Sequence, residues 1–257
     1  MKRLIFVFFL FFTFTVNAAY LDDDMDGVEN GDDLCPNSAL TDIVDERGCV
    51  VEKLTFKQEH RFDIILGYKY AKVNEEYSQS GQSLSLGYHY SNFSAYFYTS
   101  NYDINNGESG IDDSSLSFYY RLNKNDFSFS LGAGVYIPTY DSAGNKSDYF
   151  VKTRVTRYVG LYDFSIDIGH TFMHDEGTRD TDTFSLSSGY LASEKSYFSI
   201  SYTNQNSIYE DERNLQSISL YAGYFFNEKL FLSTTISGGL SESATDFSYS
   251  LNVGYRF

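Results

Sequence analysis

The run Phe247-Ser-Tyr-Ser-Leu-Asn-Val-Gly-Tyr-Arg-Phe257 decides the fold of this chain. Every second residue of the run is apolar or aromatic, and the residues between them are Ser, Asn, Gly and Arg. A period of two residues is typical of a β-strand that has one apolar face and one polar face. We therefore predict a strand with an apolar outer face that ends at Phe257.

The same alternation recurs from His60 onward, in runs separated by polar connections. Counting these runs predicts twelve strands, which lie within residues 62–70, 84–90, 93–102, 116–122, 127–137, 149–155, 164–172, 184–190, 198–202, 218–224, 230–236 and 247–257. The connections alternate in length around the chain. The long ones are 74–82, 103–113, 139–146, 174–180, 204–213 and 241–245, and the short ones are 91–92, 123–125, 159–160, 193–195 and 227–229.

This pattern resembles that of Gram-negative outer-membrane β-barrels of the porin-like kind, whose last strand usually ends in Phe. Such barrels have an even number of strands, short periplasmic turns and longer outer loops. The composition, with 24 Tyr, 23 Phe and only 2 Pro, favours this class over a soluble β-sandwich, and the mean hydropathy of −0.34 is expected of alternating strands. We predict an all-β fold, a transmembrane antiparallel up-and-down barrel of about twelve strands over residues 60–257.

The amino terminus has the features of an export signal. Lys2 and Arg3 precede an apolar run from Leu4 to Val16, and Ala18 and Ala19 follow it. The run is too short to span a bilayer as a helix. We predict a signal peptide over residues 1–19, cleaved after Ala18 or Ala19, and the alternative is an uncleaved anchor.

An acidic segment between the signal and the barrel has the spacing of a calcium loop. Carboxylates alternate, Gly27 permits a sharp turn, and a further acid follows at a distance, which is how short loops surround Ca²⁺. The predicted Ca²⁺ ligands are Asp22, Asp24, Asp26, the backbone carbonyl of Val28, Asn30 and Asp33. Asp22 and Asp23 exchange roles if the spacing slips by one residue, and a solvated acidic linker is the alternative.

The segment resembles a thrombospondin type 3 repeat, D-x-D-x-D-G-V-x-x-x-x-D-x-C-P, and fills every position of that pattern between Asp22 and Pro36. We assign the repeat to residues 20–50 and expect it in the periplasm or as a small plug of the barrel. Cys35 and Cys49 predict one disulfide, as expected in an oxidising compartment. In bacterial proteins such repeats usually link a barrel to a peptidoglycan-binding domain, and here the repeat comes first, so peptidoglycan or another periplasmic partner is left open.

The opposite parity of the strands faces the lumen and is rich in Ser and Gly, which predicts a water-filled interior. Charged residues of both signs share that parity. They either brace the wall as ion pairs or act as a selectivity filter. They are Arg61, Asp63, Lys69, Arg121, Lys152, Arg154, Asp163, Asp167 and Arg256. Arg154 and Lys152 are expected beside Asp163 and Asp167 on the next strand.

The charge balance limits the partners. A net charge of −16 argues against nucleic acid, and the acidic long loops either concentrate cations, bind divalent ions that bridge lipopolysaccharide, or stay solvated. His89 and Ser91 have a spacing that resembles outer-membrane phospholipases, and His170 and His174 resemble protease barrels loosely, but neither set is complete. We predict no enzyme, and instead a barrel embedded among outer-membrane lipid and lipopolysaccharide that passes small polar solutes, or a non-conducting structural or adhesive barrel.

Overall fold

The computed structural model describes residues 28, 33–35, 43–47, 49–52, 60–140, 144–175, 177–209 and 211–257. Chain contacts divide the protein into two compact units, Met1–Lys57 and Gln58–Phe257. The predicted signal peptide lies outside the described residues, as do Asp22, Asp24, Asp26 and Asn30. No helix within the described ranges is long and apolar enough to cross a membrane.

The first unit contains a small antiparallel hairpin of β1 (Ile43–Val44) and β2 (Val50–Glu52). A disulfide joins Cys35 to Cys49, as the sequence predicts. Asp45 holds the turn between the strands. Its carboxylate accepts hydrogen bonds from the backbone amides of Arg47 and Cys49 at 2.9 and 3.1 Å. Because both amides favour the charged form, the pKa of Asp45 lies below its ordinary value.

The second unit is a barrel of twelve long antiparallel strands, which confirms the predicted number. The strands are β3 (Arg61–Lys72), β4 (Ser78–Tyr90), β5 (Phe93–Ile104), β7 (Ser114–Lys124), β8 (Phe127–Ile137), β9 (Asp148–Val159), β10 (Tyr162–Phe172), β11 (Thr181–Ser193), β12 (Ser196–Gln205), β13 (Leu215–Phe225), β14 (Leu230–Gly239) and β15 (Phe247–Arg256). A thirteenth, short strand, β6 (Ser109–Ile111), pairs with the end of β5.

The barrel closes because the first long strand pairs with the last. β15 runs antiparallel to β3 from the pair Phe247 and Lys72 to the pair Arg256 and Asp63. β3 pairs with β4 along its other side. The sheet of long strands is therefore continuous, which removes the free edges that an open sheet would expose.

The connections at one end of the barrel are short. Four of them are two-residue turns, at 91–92, 125–126, 160–161 and 194–195, and the fifth spans 226–229. Ser91, Asn125 and Gly160 have φ values of 52°, 51° and 59°, the left-handed conformation that tight hairpin turns need at their first central residue. All longer connections lie at the opposite end, as predicted.

Burial in the barrel is inverted relative to a soluble protein. Large apolar side chains face outward and are exposed, for example Leu131 at 62%, Ile168 at 60% and Phe257 at 61%. The buried side chains among the described residues are mainly polar, and only Phe150 and Ala244 are buried and apolar. A protein cannot leave this much apolar surface in water, so the outer face needs an apolar surrounding.

Two predicted connections differ from the structure. β4 begins at Ser78, so the predicted loop 74–82 was too long; Ser80 pairs with Tyr70 and Gln82 with Tyr68. The outward residues of this stretch are polar, which hid the alternation. The predicted loop 103–113 contains β6. Asp112 separates β6 from β7, and its amide donates a hydrogen bond to the carbonyl of Ser100.

Candidate functional site: the barrel lumen

The strand pairings identify the inward face of every long strand. Asp63 pairs with Gly87, and Gly87 pairs with Tyr96. Residues that pair across strands lie on the same face of the sheet, so following the pairs around the barrel gives the inward residues of each strand. This face contains all the charged side chains that the sequence predicts in the lumen, namely Arg61, Asp63, Lys69, Arg121, Lys152, Arg154, Asp163, Asp167 and Arg256.

The seam between β15, β3 and β4 carries a carboxylate bound from three sides. Asp63 is 8% exposed. One of its oxygens accepts a hydrogen bond from Arg256 Nε at 3.1 Å and lies 3.7 Å from Arg61 Nε. The other lies 3.1 Å from His89 Nε2, while His89 Nδ1 lies 3.0 Å from Ser94 Oγ. The cluster joins the first and last barrel strands through side chains.

Aromatic rings hold Arg256 in this position. Its guanidinium lies over the rings of Phe225 and Phe231, 5.4 and 6.0 Å from their centroids. The two rings pack against each other at 5.3 Å. Phe231 lies across Gly254, where an added Cβ would come within 2.0 Å of the ring. Glycine at 254 therefore provides the space for the ring that supports Arg256.

The opposite wall, on β9 and β10, carries the second set of charges. Arg154 pairs with Asp167, with Nε 2.5 Å from Oδ1, as the sequence predicts. Lys152 does not pair with Asp163; its ammonium lies 4.7 Å from the centroid of Phe150. Asp163 lies beside Tyr197 instead: the carboxylate and the tyrosine hydroxyl both lie over Gly189.

A third charged group lies nearer the long loops. The Lys69 ammonium contacts the carboxylate of Asp112 and donates to Ser100 Oγ at 3.0 Å, and Ser100 donates to Asp112 at 2.6 Å. Lys69 pairs with Gly81 on the intervening strand, and the absence of a side chain there leaves room for the lysine to reach β5. The group ties the β6–β7 connection to the inner wall.

Sequence reasoning missed the aromatic side chains of the lumen. Several aromatic side chains lie against inward glycines, where an added Cβ would come within 3 Å of them: Tyr119 at Gly132, Phe150 at Gly134, and Tyr197 at Gly189. The prediction of an interior lined by small residues was therefore incomplete. The parity of Tyr96, Tyr119, Tyr197 and Tyr221 within their strands was a signal that could have located them.

The lumen differs between its two ends. Charged and aromatic side chains dominate the half nearer the short turns, namely Arg61, Asp63, His89, Tyr96, Tyr119, Arg121, Arg154, Asp163, Tyr197, Tyr221, Phe225, Phe231 and Arg256. Hydroxyls dominate the other half, although Lys69, Tyr98, Tyr102, Tyr136, Asp148, Phe150 and Lys152 also lie there. Hydroxyls on adjacent strands bond to each other, as in Ser185–Thr203 at 2.9 Å and Ser219–Ser237 at 2.8 Å. Because large side chains are concentrated there, we expect the lumen to be narrower toward the short turns.

Solved structures share this architecture at low sequence identity. An outer membrane channel from Pseudomonas putida F1 superposes with a TM-score of 0.64 at 12% identity, over 79% of this chain and 97% of that one. The barrel has the fold of outer-membrane channels. The NanC porin matches with a TM-score of 0.58 at 10% identity, over 76% of this chain and 98% of its own. The KdgM porin matches with a TM-score of 0.57 at 11% identity, over 76% and 99%. No family model and no curated protein matches the sequence.

The remaining predicted site residues fall mostly outside the described part. Of the six predicted calcium ligands, only Val28 and Asp33 lie within the described residues, and an oxygen of Asp33 accepts a hydrogen bond from the amide of Cys35 at 2.8 Å. Across the described ranges, no group of three or more His, Cys, Asp or Glu is placed to hold a metal ion. His170 lies on the outward face, where its ring nitrogens face Asp182 at 2.8 Å and Asp180 at 3.6 Å.

Proposed function

We propose that this protein is a porin-like channel of the Gram-negative outer membrane that allows passive diffusion of small polar solutes. The observation that supports the proposal most strongly is the inverted burial of a closed twelve-stranded barrel. Its outer face is a continuous apolar belt, and its inner face consists of hydroxyls, charges and aromatic rings. An apolar belt with a polar interior is the arrangement of membrane-spanning barrels.

The lumen chemistry supports solute passage. Ser and Thr hydroxyls both donate and accept hydrogen bonds, so the wider half of the lumen can replace part of the hydration shell of a polar solute. The side chains there offer little apolar surface to retain it. The charged and aromatic half then narrows the path before the solute leaves the barrel, which limits passage to small molecules.

Swelling of proteoliposomes tests this proposal. Liposomes that contain the purified, refolded protein are diluted into isosmotic solutions of uncharged sugars and polyols of increasing size. We expect rapid swelling with glycerol-sized solutes and a steep decrease with larger ones. Correctly folded protein that gives no more swelling than empty liposomes would contradict a channel and would favour the structural or adhesive barrel.

We also propose that the segment around residues 20–50 binds one Ca²⁺ in the periplasm. The support is the acidic spacing, the hairpin that follows it and the disulfide that ties Cys35 to Cys49. The chain enters the barrel at Arg61, at the short-turn end, and short turns are periplasmic in outer-membrane barrels. In that compartment the module would be positioned to meet peptidoglycan or a periplasmic protein, whereas the long acidic loops would meet lipopolysaccharide.

A further inference from the structure

The inward-facing strand residues carry more positive than negative charge. Six are positive, Arg61, Lys69, Arg121, Lys152, Arg154 and Arg256, and four are negative, Asp63, Asp148, Asp163 and Asp167. The excess of two (6 − 4) contrasts with the net charge of −16 for the whole chain. The net charge of the inward-facing strand residues is therefore positive, whereas the net charge of the whole chain is negative.

Two positive side chains away from the closure seam have carboxylate partners: Lys69 contacts Asp112 of the β6–β7 connection, and Arg154 pairs with Asp167. Lys152 lies over the ring of Phe150 instead. At the closure seam the guanidinium groups of Arg61 and Arg256 approach the single carboxylate of Asp63, and Arg121, inward on β7, adds a third positive charge at the same end of the lumen. These three guanidinium groups outnumber the carboxylate of Asp63 by two (3 − 1). The strand pairings lead from Arg61 to His89, then to Ser94 and then to Tyr119. Arg121 is the next inward residue on the strand of Tyr119, toward the short turns. We call these three arginines the arginine cluster.

The arginine cluster retains unused hydrogen-bond donors. Arg61 and Arg256 approach Asp63 through their Nε atoms. Arg61 Nε itself is shielded from solvent, and it has no hydrogen-bond partner within the described part of the chain. A guanidinium has five N–H donors, and its terminal pair fits a carboxylate or phosphate. Within the described ranges, the terminal N–H groups of Arg61 and Arg256 donate no hydrogen bond to a protein group, so they can bind an anion.

We propose that the arginine cluster binds small carboxylates and phosphates and makes the channel select anions. This inference rests on the proposed channel function and adds its class of solute. Selectivity is determined where a pore is narrow and its charges are close to the passing ion. Acidic side chains of the long loops, such as Glu75, Glu76 and Glu212, are exposed, and at physiological salt the field of an exposed charge decays over about 8 Å. The three guanidinium groups lie in the narrower half and determine the sign of the selectivity.

Reversal potentials in planar bilayers with a KCl gradient test the sign. We expect the wild-type channel to pass chloride more readily than potassium. Arg121→Gln removes one positive charge without a contact to Asp63, so it leaves the seam intact, and it should lower the chloride-to-potassium permeability ratio about twofold. Lys124→Gln is the matched control, because Lys124 lies on the outward face of the same strand, and it should leave the ratio unchanged.

Inorganic phosphate and acetate, added separately to the chloride solution, test binding. We expect either anion to reduce the chloride current at a concentration that rises several-fold in Arg121→Gln and in Arg61→Gln. The anion that acts at the lower concentration identifies phosphate or carboxylate as the preferred group. Cation preference in the wild type, or equal sensitivity of wild type and both variants, would overturn the inference. A folded barrel that gives no current would refute the channel itself.

Discussion

Replacement of Asp63 by Asn should weaken the barrel at the seam where it closes. Asp63 is 8% exposed and contacts Arg256 on β15, Arg61 on its own strand and His89 on β4. Asparagine keeps the size of the side chain but removes its charge, so two guanidinium groups lose their counter-ion. Loss of one member of a buried ion pair costs about 3–5 kcal/mol.

That magnitude must be reduced because the lumen is wet. The arginine side chains are 29% and 40% exposed, so water screens part of their repulsion. We therefore expect Asp63→Asn to lower the free energy of unfolding by about 2 kcal/mol. Urea titration of the barrel refolded in lipid vesicles, followed by gel mobility without boiling, measures the change.

Asp126→Asn is a suitable control for this experiment. Asp126 lies in an exposed turn at the same end of the barrel, and its replacement should alter stability by less than about 0.5 kcal/mol. A double replacement of Asp63 by Asn and Arg61 by Gln should recover part of the loss, because it removes one unpaired charge. An Asp63→Asn barrel as stable as the control would refute the view that the carboxylate holds the seam.

Two further predictions concern the lumen wall and the amino-terminal module. Gly254→Ala places a Cβ against the ring of Phe231 and should destabilise the barrel by about 1–3 kcal/mol in the same urea titration. Gly238→Ala is the control and should be neutral, because its Cβ would approach only a carbonyl at 3.9 Å. Equal unfolding midpoints for the two variants would contradict the packing of Phe231 on Gly254. Isothermal titration of the full mature chain in detergent should show uptake of one Ca²⁺ that Asp24→Asn weakens at least tenfold, while chelation leaves the barrel folded; absence of heat in the wild type would remove the calcium site.

The sequence predicted the barrel because alternation is a local signal. Strands such as Phe127–Ile137 and Phe247–Arg256 have apolar residues at every outward position, so strand number, parity and the order of short and long connections could be read directly. The start of β4 could not, because Ser78, Ser80 and Gln82 are polar on the outward face and have the composition of a loop. Its place in the sheet depends on pairing with β3, a contact that composition does not show.

The candidate site was predictable in its membership but not in its arrangement. Parity alone places Arg61, Asp63 and Arg121 inside, yet the convergence of Arg61 and Arg256 on one carboxylate depends on the pairing of the first strand with the last. The aromatic residues were missed because Tyr occurs on both faces of these strands. Asp112 was assigned to a loop, and only its backbone contact with β5 brings it beside Lys69.

A cross-link between the first and last strands tests the closed barrel most directly. The amide of Phe257 donates a hydrogen bond to the carbonyl of Phe62 at 2.8 Å, so the outward residue pairs of this seam are the hydrogen-bonded pairs. The inward pairs are therefore the non-hydrogen-bonded ones, whose Cα atoms lie about 4.5 Å apart. Ala71 and Ser248 form such an inward pair. That spacing lies within the range of about 4.4–6.8 Å that a disulfide requires.

The measurement is the extent of disulfide formation in the barrel folded in lipid, with Cys35 and Cys49 replaced by Ser. We predict that Ala71→Cys with Ser248→Cys oxidises almost completely and shifts the mobility of the denatured, unreduced chain, whereas Ala71→Cys with Ser250→Cys, one inward position out of register, oxidises poorly. Failure of the first pair to form, or equal formation in both, would contradict a barrel closed by β3 and β15.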